Sequence, residues 1–168
     1  MTLEEEAALS YYQTVEKLNE KENLFLVRNL SDSHFYVRKE LSSYNAEVYR
    51  QLKSNPVRNT PKIYEAIEDN NTLIVIEEYI PGDTLEDILH KNGPFSEEAA
   101  ADIIRQLCVI VNGLHTLSPP VIHRDIKPSN IILTSDHIVK LLDMNAAKQY
   151  DHTEDRDTKL IGTAGYAA

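Results

Sequence analysis

The sequence predicts an α+β chain in two unequal parts, a β-rich first half with one helix and a helical second half. Three observations lead there. Short β-type runs bounded by turn residues fill most of residues 1–78. A long apolar stripe at helical spacing dominates the stretch after Ser96. Between them, Pro81-Gly82 interrupts every periodicity, as a linker does. The expected organisation is therefore a sheet-rich lobe over 1–78, a hinge over 79–82 and a helical lobe over 83–168.

The elements follow in order. The first ten residues, with Glu4, Glu5 and Glu6, read as a short acidic helix or a frayed end. Strands are predicted for Tyr11 to Leu18, Leu24 to Asn29 and His34 to Glu40. The third alternates, with Phe35, Val37 and Lys39 on one face and Tyr36 and Arg38 on the other. Leu41, Tyr44, Val48 and Leu52 recur at helical spacing and predict a helix from about Ser42 to Ser54. Two more strands, Lys62 to Glu68 and Thr72 to Glu78, flank the turn signal Asp69-Asn70-Asn71. After the linker, Thr84 to His90 reads as a short helix that Gly93-Pro94 ends. Ser96 is a good N-cap, with Glu97 and Glu98 favourably placed in the first turn. Ile103, Leu107, Ile110, Leu114 and Leu117 make the next helix a core element, and Pro119-Pro120 stops it. Short apolar runs at Ile131 to Leu133 and Ile138 to Leu142 flank Ser135-Asp136, and the chain is polar and acidic from Gln149 to Thr158.

Composition narrows the function classes. The 168 residues carry 17 Lys and Arg against 27 Asp and Glu, a formal charge of -10 that argues against nucleic acid as the main partner. No stretch approaches the ~20 apolar residues of a membrane span, and no secretory leader pattern is present. Cys108 is the single cysteine, which excludes an internal disulfide and a cysteine metal cluster and makes a reducing cytoplasm the default. The histidines at positions 34, 90, 115, 137 and 152 are scattered and read as surface or packing residues.

The strongest chemical signal is His123-Arg124-Asp125-Ile126-Lys127-Pro128-Ser129-Asn130. This run closely resembles the catalytic loop of Ser/Thr protein kinases, which implies phosphoryl transfer. Such transfer needs an acceptor to orient the attacking hydroxyl, and Asp125 fits that role. It needs an oxygen donor for a metal, which Asn130 carries, and a cation near the transferred group, which Lys127 carries. Lys127, two residues after the Asp, is similar to the Ser/Thr rather than the Tyr pattern. The motifs read like those of bacterial members of the family.

The resemblance extends along nearly the whole chain, from about Tyr11 to Ala168, and implies further site residues. Asp143 resembles the metal-binding Asp at a strand end, with Met144-Asn145 where the family has Phe-Gly. Met144 is expected to serve as the apolar plug and Asn145 to take the left-handed backbone of the usual Gly. Lys39 stands where the family binds the α- and β-phosphates, Val37 would lie over the adenine, and Glu47 is the expected carboxylate partner of Lys39. Ile74 to Gly82 resembles the hinge, so the carbonyl of Glu78 and the amide of Ile80 would bond the adenine edge. Glu77 would then line the pocket wall and should point to a partner or to water. Arg124, Lys148, Thr158 and Thr163 are the expected regulatory positions. Asp151, Glu154, Asp155 and Asp157 are candidate stand-ins for a phosphate, pairing with Arg124. What the resemblance implies is a two-lobe fold, ATP and Mg²⁺ as cofactors, and a protein substrate with a Ser or Thr acceptor.

The chain also departs from the family pattern. Asn19-Glu20-Lys21-Glu22-Asn23-Leu24 stands where a glycine-rich phosphate loop is expected and has no glycine. Such a chain is either a kinase that leans on Lys39 and Mg²⁺ or a partly degenerate one. Gly162 to Ala168 resembles the segment that receives substrate, and the family's remaining helices are expected beyond it, leaving this helical lobe incomplete. A pseudokinase or interaction module, or a small-molecule phosphotransferase on a related fold, stay open as alternatives; Lys127 speaks against the last.

Overall fold

The structure is a computed structural model and describes residues 1–19, 22–150, 163 and 165–166. The chain divides into two compact units: Met1–Pro56 with Lys62–Tyr79, and Val57–Pro61 with Ile80–Ala168.

The first unit is an antiparallel sheet. β1 (Tyr12–Asn19), β2 (Leu24–Asn29), β3 (Phe35–Leu41), β4 (Ile63–Asp69) and β5 (Thr72–Glu78) lie in the order β1-β2-β3-β5-β4. Asn70 and Asn71 both take positive φ, 45° and 62°, which suits the tight turn joining β4 to β5. α1 (Leu3–Ser10) is a true helix rather than a frayed end, because Thr2 and Glu5 form a reciprocal capping box. The Met1 ammonium is also held by Asp69 at 3.2 Å. One sheet face buries Val27, Tyr36 and Ile76, with Leu9, Tyr12, Phe25 and Tyr64 packed against them. Tyr36 sits edge-on to Tyr12 and Tyr64, at centroid distances of 5.4 and 4.9 Å. The alternation in β3 puts Val37 and Lys39 on the other face.

α2 (Ala46–Ser54) starts four residues later than the periodicity suggests, because Asn45 caps it by accepting from the Glu47 N–H. Its buried residues are Val48, Tyr49 and Leu52. The later start and the burial of Tyr49 set the phase of this helix, with a consequence for Glu47.

The second unit is built on α3 (Leu85–Asn92) and α4 (Glu97–His115). α4 buries Ile103, Leu107, Ile110 and Leu114, four of the five predicted stripe residues. Burial of each such side chain is worth ~1.5–3 kcal/mol. β6 (Asp83–Thr84), β8 (Ile131–Leu133) and β9 (Val139–Leu141) form one small sheet, and β7 (Val121–Ile122) pairs with β10 (Lys148–Gln149). Gly82 makes this sheet possible: at φ +145°, an added Cβ would lie 2.6 Å from Ile132 Cγ2. The Gln106 side chain ties α4 to β9, donating to the His137 carbonyl at 3.0 Å and accepting from the Val139 N–H at 3.0 Å. The strap Val57–Pro61 belongs here too, since the Leu141 N–H donates to the Asn59 carbonyl at 3.0 Å. Among the described residues, no helix is long and apolar enough to cross a membrane.

Candidate active site

β7 leads directly into the predicted catalytic loop. His123 is buried and links that loop to the strand before Asp143. Its Nε2–H donates to the Leu142 carbonyl at 2.9 Å, and its Nδ1 accepts from the Asp125 N–H at 3.3 Å. The neutral tautomer protonated on Nε2 satisfies both bonds. Arg124 takes a left-handed φ of 67°, a conformation that surrounding bonds must hold. Its Nε donates to the Ala146 carbonyl at 2.8 Å. Pro128 then opens a single 3₁₀ turn through Asn130, whose N–H donates to the Lys127 carbonyl at 2.9 Å.

This turn brings Asp125, Lys127 and Asn130 together. Both bonds from the Asn130 amide nitrogen go to Asp125, at 2.9 Å to its carbonyl and 3.0 Å to Oδ2. Lys127 Nζ lies 2.9 Å from Asp125 Oδ2. Thr163 donates its hydroxyl to Asp125 Oδ1 at 2.7 Å and accepts from Lys127 Nζ at 2.9 Å. Burial alone would push the Asp125 carboxyl up. The bonds from Lys127, Thr163 and Asn130, with the Lys127 charge, outweigh it and leave the carboxyl below its ordinary value. Asp125 is thus an ionised acceptor with a hydroxyl already on one oxygen and a cation touching both groups.

Asp143 follows β9. The Leu142 N–H donates to the Asn130 carbonyl at 2.8 Å, which keeps the two predicted metal ligands on adjoining backbone. Met144 is buried, as expected of an apolar plug. The left-handed residue is Asp143 itself, at φ 61°, whereas Asn145 does not take positive φ. The expectation that Asn145 replaces a left-handed Gly is therefore corrected. Instead, the Asn145 N–H turns back to Asp143 Oδ1 at 3.4 Å.

The donor set suits magnesium. Mg²⁺ keeps several waters and takes one or two protein oxygens plus substrate phosphates. Asn130 spends its amide hydrogens on Asp125, and its amide oxygen accepts no hydrogen bond among the described residues. That oxygen and the Asp143 carboxylate are oxygen donors of the kind such an ion takes.

In the sheet, Val37 and Lys39 are buried on one face of β3. Lys39 Nζ lies 2.9 Å from Glu77 Oε1, and the two side chains are 8% and 7% exposed. Glu77 therefore does find a partner. Glu47 does not fill its expected role: its side chain is 65% exposed and pairs with Arg50, which also binds Glu68 on β4. The physical reason is helix phase. With Val48, Tyr49 and Leu52 facing inward, Glu47 falls on the outer side of α2. Glu78 ends β5 in a reciprocal clamp, its N–H donating to the Lys62 carbonyl at 2.9 Å and its Oε2 accepting from the Lys62 N–H at 3.2 Å. Ile80, the first residue of the second unit after β5, is buried.

Of the regulatory positions, Lys148 is set opposite Ile122 by the β7–β10 pairing. Thr163 sits on the Asp125 carboxylate. Thr158 and the acidic residues Asp151, Glu154, Asp155 and Asp157 lie outside the described residues. Sequence reasoning missed three contributors: the bond of Thr163 to Asp125, the bridging His123 and the Gln106 clamp. A buried histidine opening the motif and a glutamine beside an apolar stripe were the available signals.

Residues 12–168 match the family model described as the protein kinase domain. A probable serine/threonine-protein kinase of Dictyostelium discoideum is 32% identical over 161 residues, covering 95% of this chain and 32% of the relative. Serine/threonine-protein kinase PknB of Mycolicibacterium smegmatis is 34% identical over 139 residues, covering 80% of this chain and 21% of the relative. Serine/threonine-protein kinase B of Synechocystis is 31% identical over 143 residues, covering 79% of this chain and 24% of the relative. The chain thus spans about a fifth to a third of the length of these relatives. With the catalytic-loop geometry and a family match over nearly its whole length, the chain belongs to the protein kinase family.

Proposed function

We propose that this chain carries the phosphoryl-transfer site of a serine/threonine protein kinase, using Mg·ATP as donor. The observation that carries the proposal is the Asp125 cluster. A carboxylate held ionised accepts from a hydroxyl at 2.7 Å, and Lys127 touches both groups. A Ser or Thr hydroxyl presented there would be oriented by Asp125 for in-line attack, and Lys127 would offset the charge that builds on the transferred group. Asn130 and Asp143 would hold Mg²⁺, which when bound neutralises the phosphate charge. Lys39 would meet the α- and β-phosphates, with Val37, the Glu78 carbonyl and the Ile80 amide around the adenine. We assign residues 1–78 to the nucleotide-binding lobe, 79–82 to the hinge and 83–168 to the catalytic part, in a cytoplasmic setting that suits a lone cysteine. The relatives' names supply the Ser/Thr class, and Lys127 agrees with it.

The test is transfer of label from γ-labelled Mg·ATP to a generic Ser/Thr-bearing protein and, separately, to an aminoglycoside. Label on protein Ser or Thr is the expected result. Label on the aminoglycoside alone would turn the assignment to a small-molecule phosphotransferase. Binding of Mg·ATP without any transfer would favour a binding module, a reading that the absence of glycine from the sequence Asn19 to Leu24 specifically supports.

A further inference from the structure

We propose that Glu77, on β5, is the positioning residue for Lys39, so that the carboxylate holding the phosphate-binding ammonium is built into the sheet rather than presented by α2. The inference rests on the nucleotide-binding role given to Lys39 above. Sheet register carries it. β3 and β5 pair antiparallel with Val37 opposite Glu77 and Lys39 opposite Val75. Opposed residues project to one face, and so do residues two apart on a strand. Lys39 and Glu77 are therefore diagonal neighbours by pairing alone, and they meet at 2.9 Å almost shielded from water. Removing one member of a buried charge pair of this kind takes away a short charge-assisted bond from the other.

Glu47 has no share in the pair. Its carboxylate is engaged by Arg50 on the outer side of α2, and Arg50 is fastened in turn to Glu68. Neither member of the Lys39–Glu77 contact is on α2: both are carried by strands whose register makes them neighbours. The pair also explains how a carboxylate is tolerated in this wall. Alone, Glu77 would repel a nucleotide's phosphates; bonded to Lys39, it fixes the ammonium and contributes little net charge of its own.

The experiment compares Mg·ATP and adenosine binding to the chain, by titration calorimetry, for wild type, Glu77→Gln and Glu47→Gln. Glu77→Gln is expected to weaken Mg·ATP by about tenfold, the worth of one hydrogen bond between charged groups. Adenosine should change far less, because only the phosphates use Lys39. Glu47→Gln should leave both affinities at wild-type values. Equal losses for the two ligands in Glu77→Gln would reduce Glu77 to a piece of pocket wall and overturn the proposal. So would tighter Mg·ATP binding by that variant, which would make Glu77 a restraint, or a selective loss in Glu47→Gln. Failure of the wild-type chain to bind either ligand would remove the nucleotide reading itself, and is recognisable before any variant is made. Should Glu77→Gln not fold, thermal unfolding of Lys39→Met, Glu77→Met and the double variant replaces it. Strong coupling, with the double variant more stable than Glu77→Met, supports the pair; additive effects overturn it.

Discussion

The catalytic loop and the β3–β5 ladder each fix a charged group in place, but by different means. Asp125 is held by residues close to it in the chain, Lys127 and Asn130, with Thr163 added from further on. Lys39 is held by Glu77, which is remote in sequence and becomes its neighbour only when two strands align in one register. The loop carries its geometry within one short motif. The ladder's geometry is a property of the sheet. Substitutions in the loop should therefore act mainly on chemistry through the bonded Asp125 network, while substitutions in the ladder should act on the Lys39–Glu77 pair.

Asp125 apart, the largest effect should come from Asp143. Asp143→Ala removes the anionic donor proposed for Mg²⁺, and we expect transfer to fall by about 10²-fold or more, as for loss of a positioned charged group. The magnesium dependence of ATP affinity should vanish with it. Calorimetric titration of ATP with and without magnesium checks this, and an unaltered magnesium effect would place the metal elsewhere.

Thr163→Ala should cost about tenfold in turnover, because one hydrogen bond to the charged Asp125 is lost. It also carries a pH signature. Burial raises the Asp125 carboxyl, and the bonds from Lys127, Thr163 and Asn130 with the Lys127 charge bring it net below its ordinary value. A carboxyl depressed in the folded state stabilises the fold above its unfolded value, and that stabilisation is lost as pH falls through the lower folded value. Deleting the Thr163 hydroxyl raises the folded value, so the acid limb of the kcat/KM profile should move to higher pH. An acid limb that stays put would mean that another group controls it.

Core truncation should be felt as stability. Leu114→Ala, at a fully buried position in α4, should cost about 2–5 kcal/mol. Denaturant unfolding measures this, and a cost below about 1 kcal/mol would mean that the site collapses around the cavity. The smallest effect belongs to Glu47. Its pairing with Arg50 is solvent-exposed, so Glu47→Gln should change stability by no more than about 1 kcal/mol, the usual worth of a surface ion pair.

The same contrast explains what could be read from the sequence. The eight residues from His123 to Asn130 announce their chemistry because the roles are packed into one run, and the structure does bring Asp125, Lys127 and Asn130 together. Strands β2 and β5 match their predicted bounds, since clear turn residues flank them. Glu47 lies away from Lys39 because Asn45 caps α2 late and Tyr49, not Tyr44, joins the buried face, so the helix phase differs from the one the periodicity suggests. The left-handed φ falls on Asp143 rather than Asn145, and the pattern of residue types does not say which neighbour absorbs the strain. The two-residue strands β6, β7 and β10 leave no periodic trace; they exist only through their partners. Thr163 is far from Asp125 in sequence, and only the folded chain reveals that its hydroxyl reaches the carboxylate.

The most direct test of the account is Asp125→Asn, measured for both transfer and nucleotide binding. Asparagine keeps the shape and the contact to the acceptor hydroxyl but removes the charge that accepts its proton. The account predicts a loss of about 10²-fold or more in phosphate transfer to Ser or Thr, as for removal of a positioned acid–base group, with Mg·ATP affinity close to that of the unmodified chain. Transfer at the parent rate in the Asn variant, or parallel losses of transfer and binding, would contradict the role given to the Asp125 cluster.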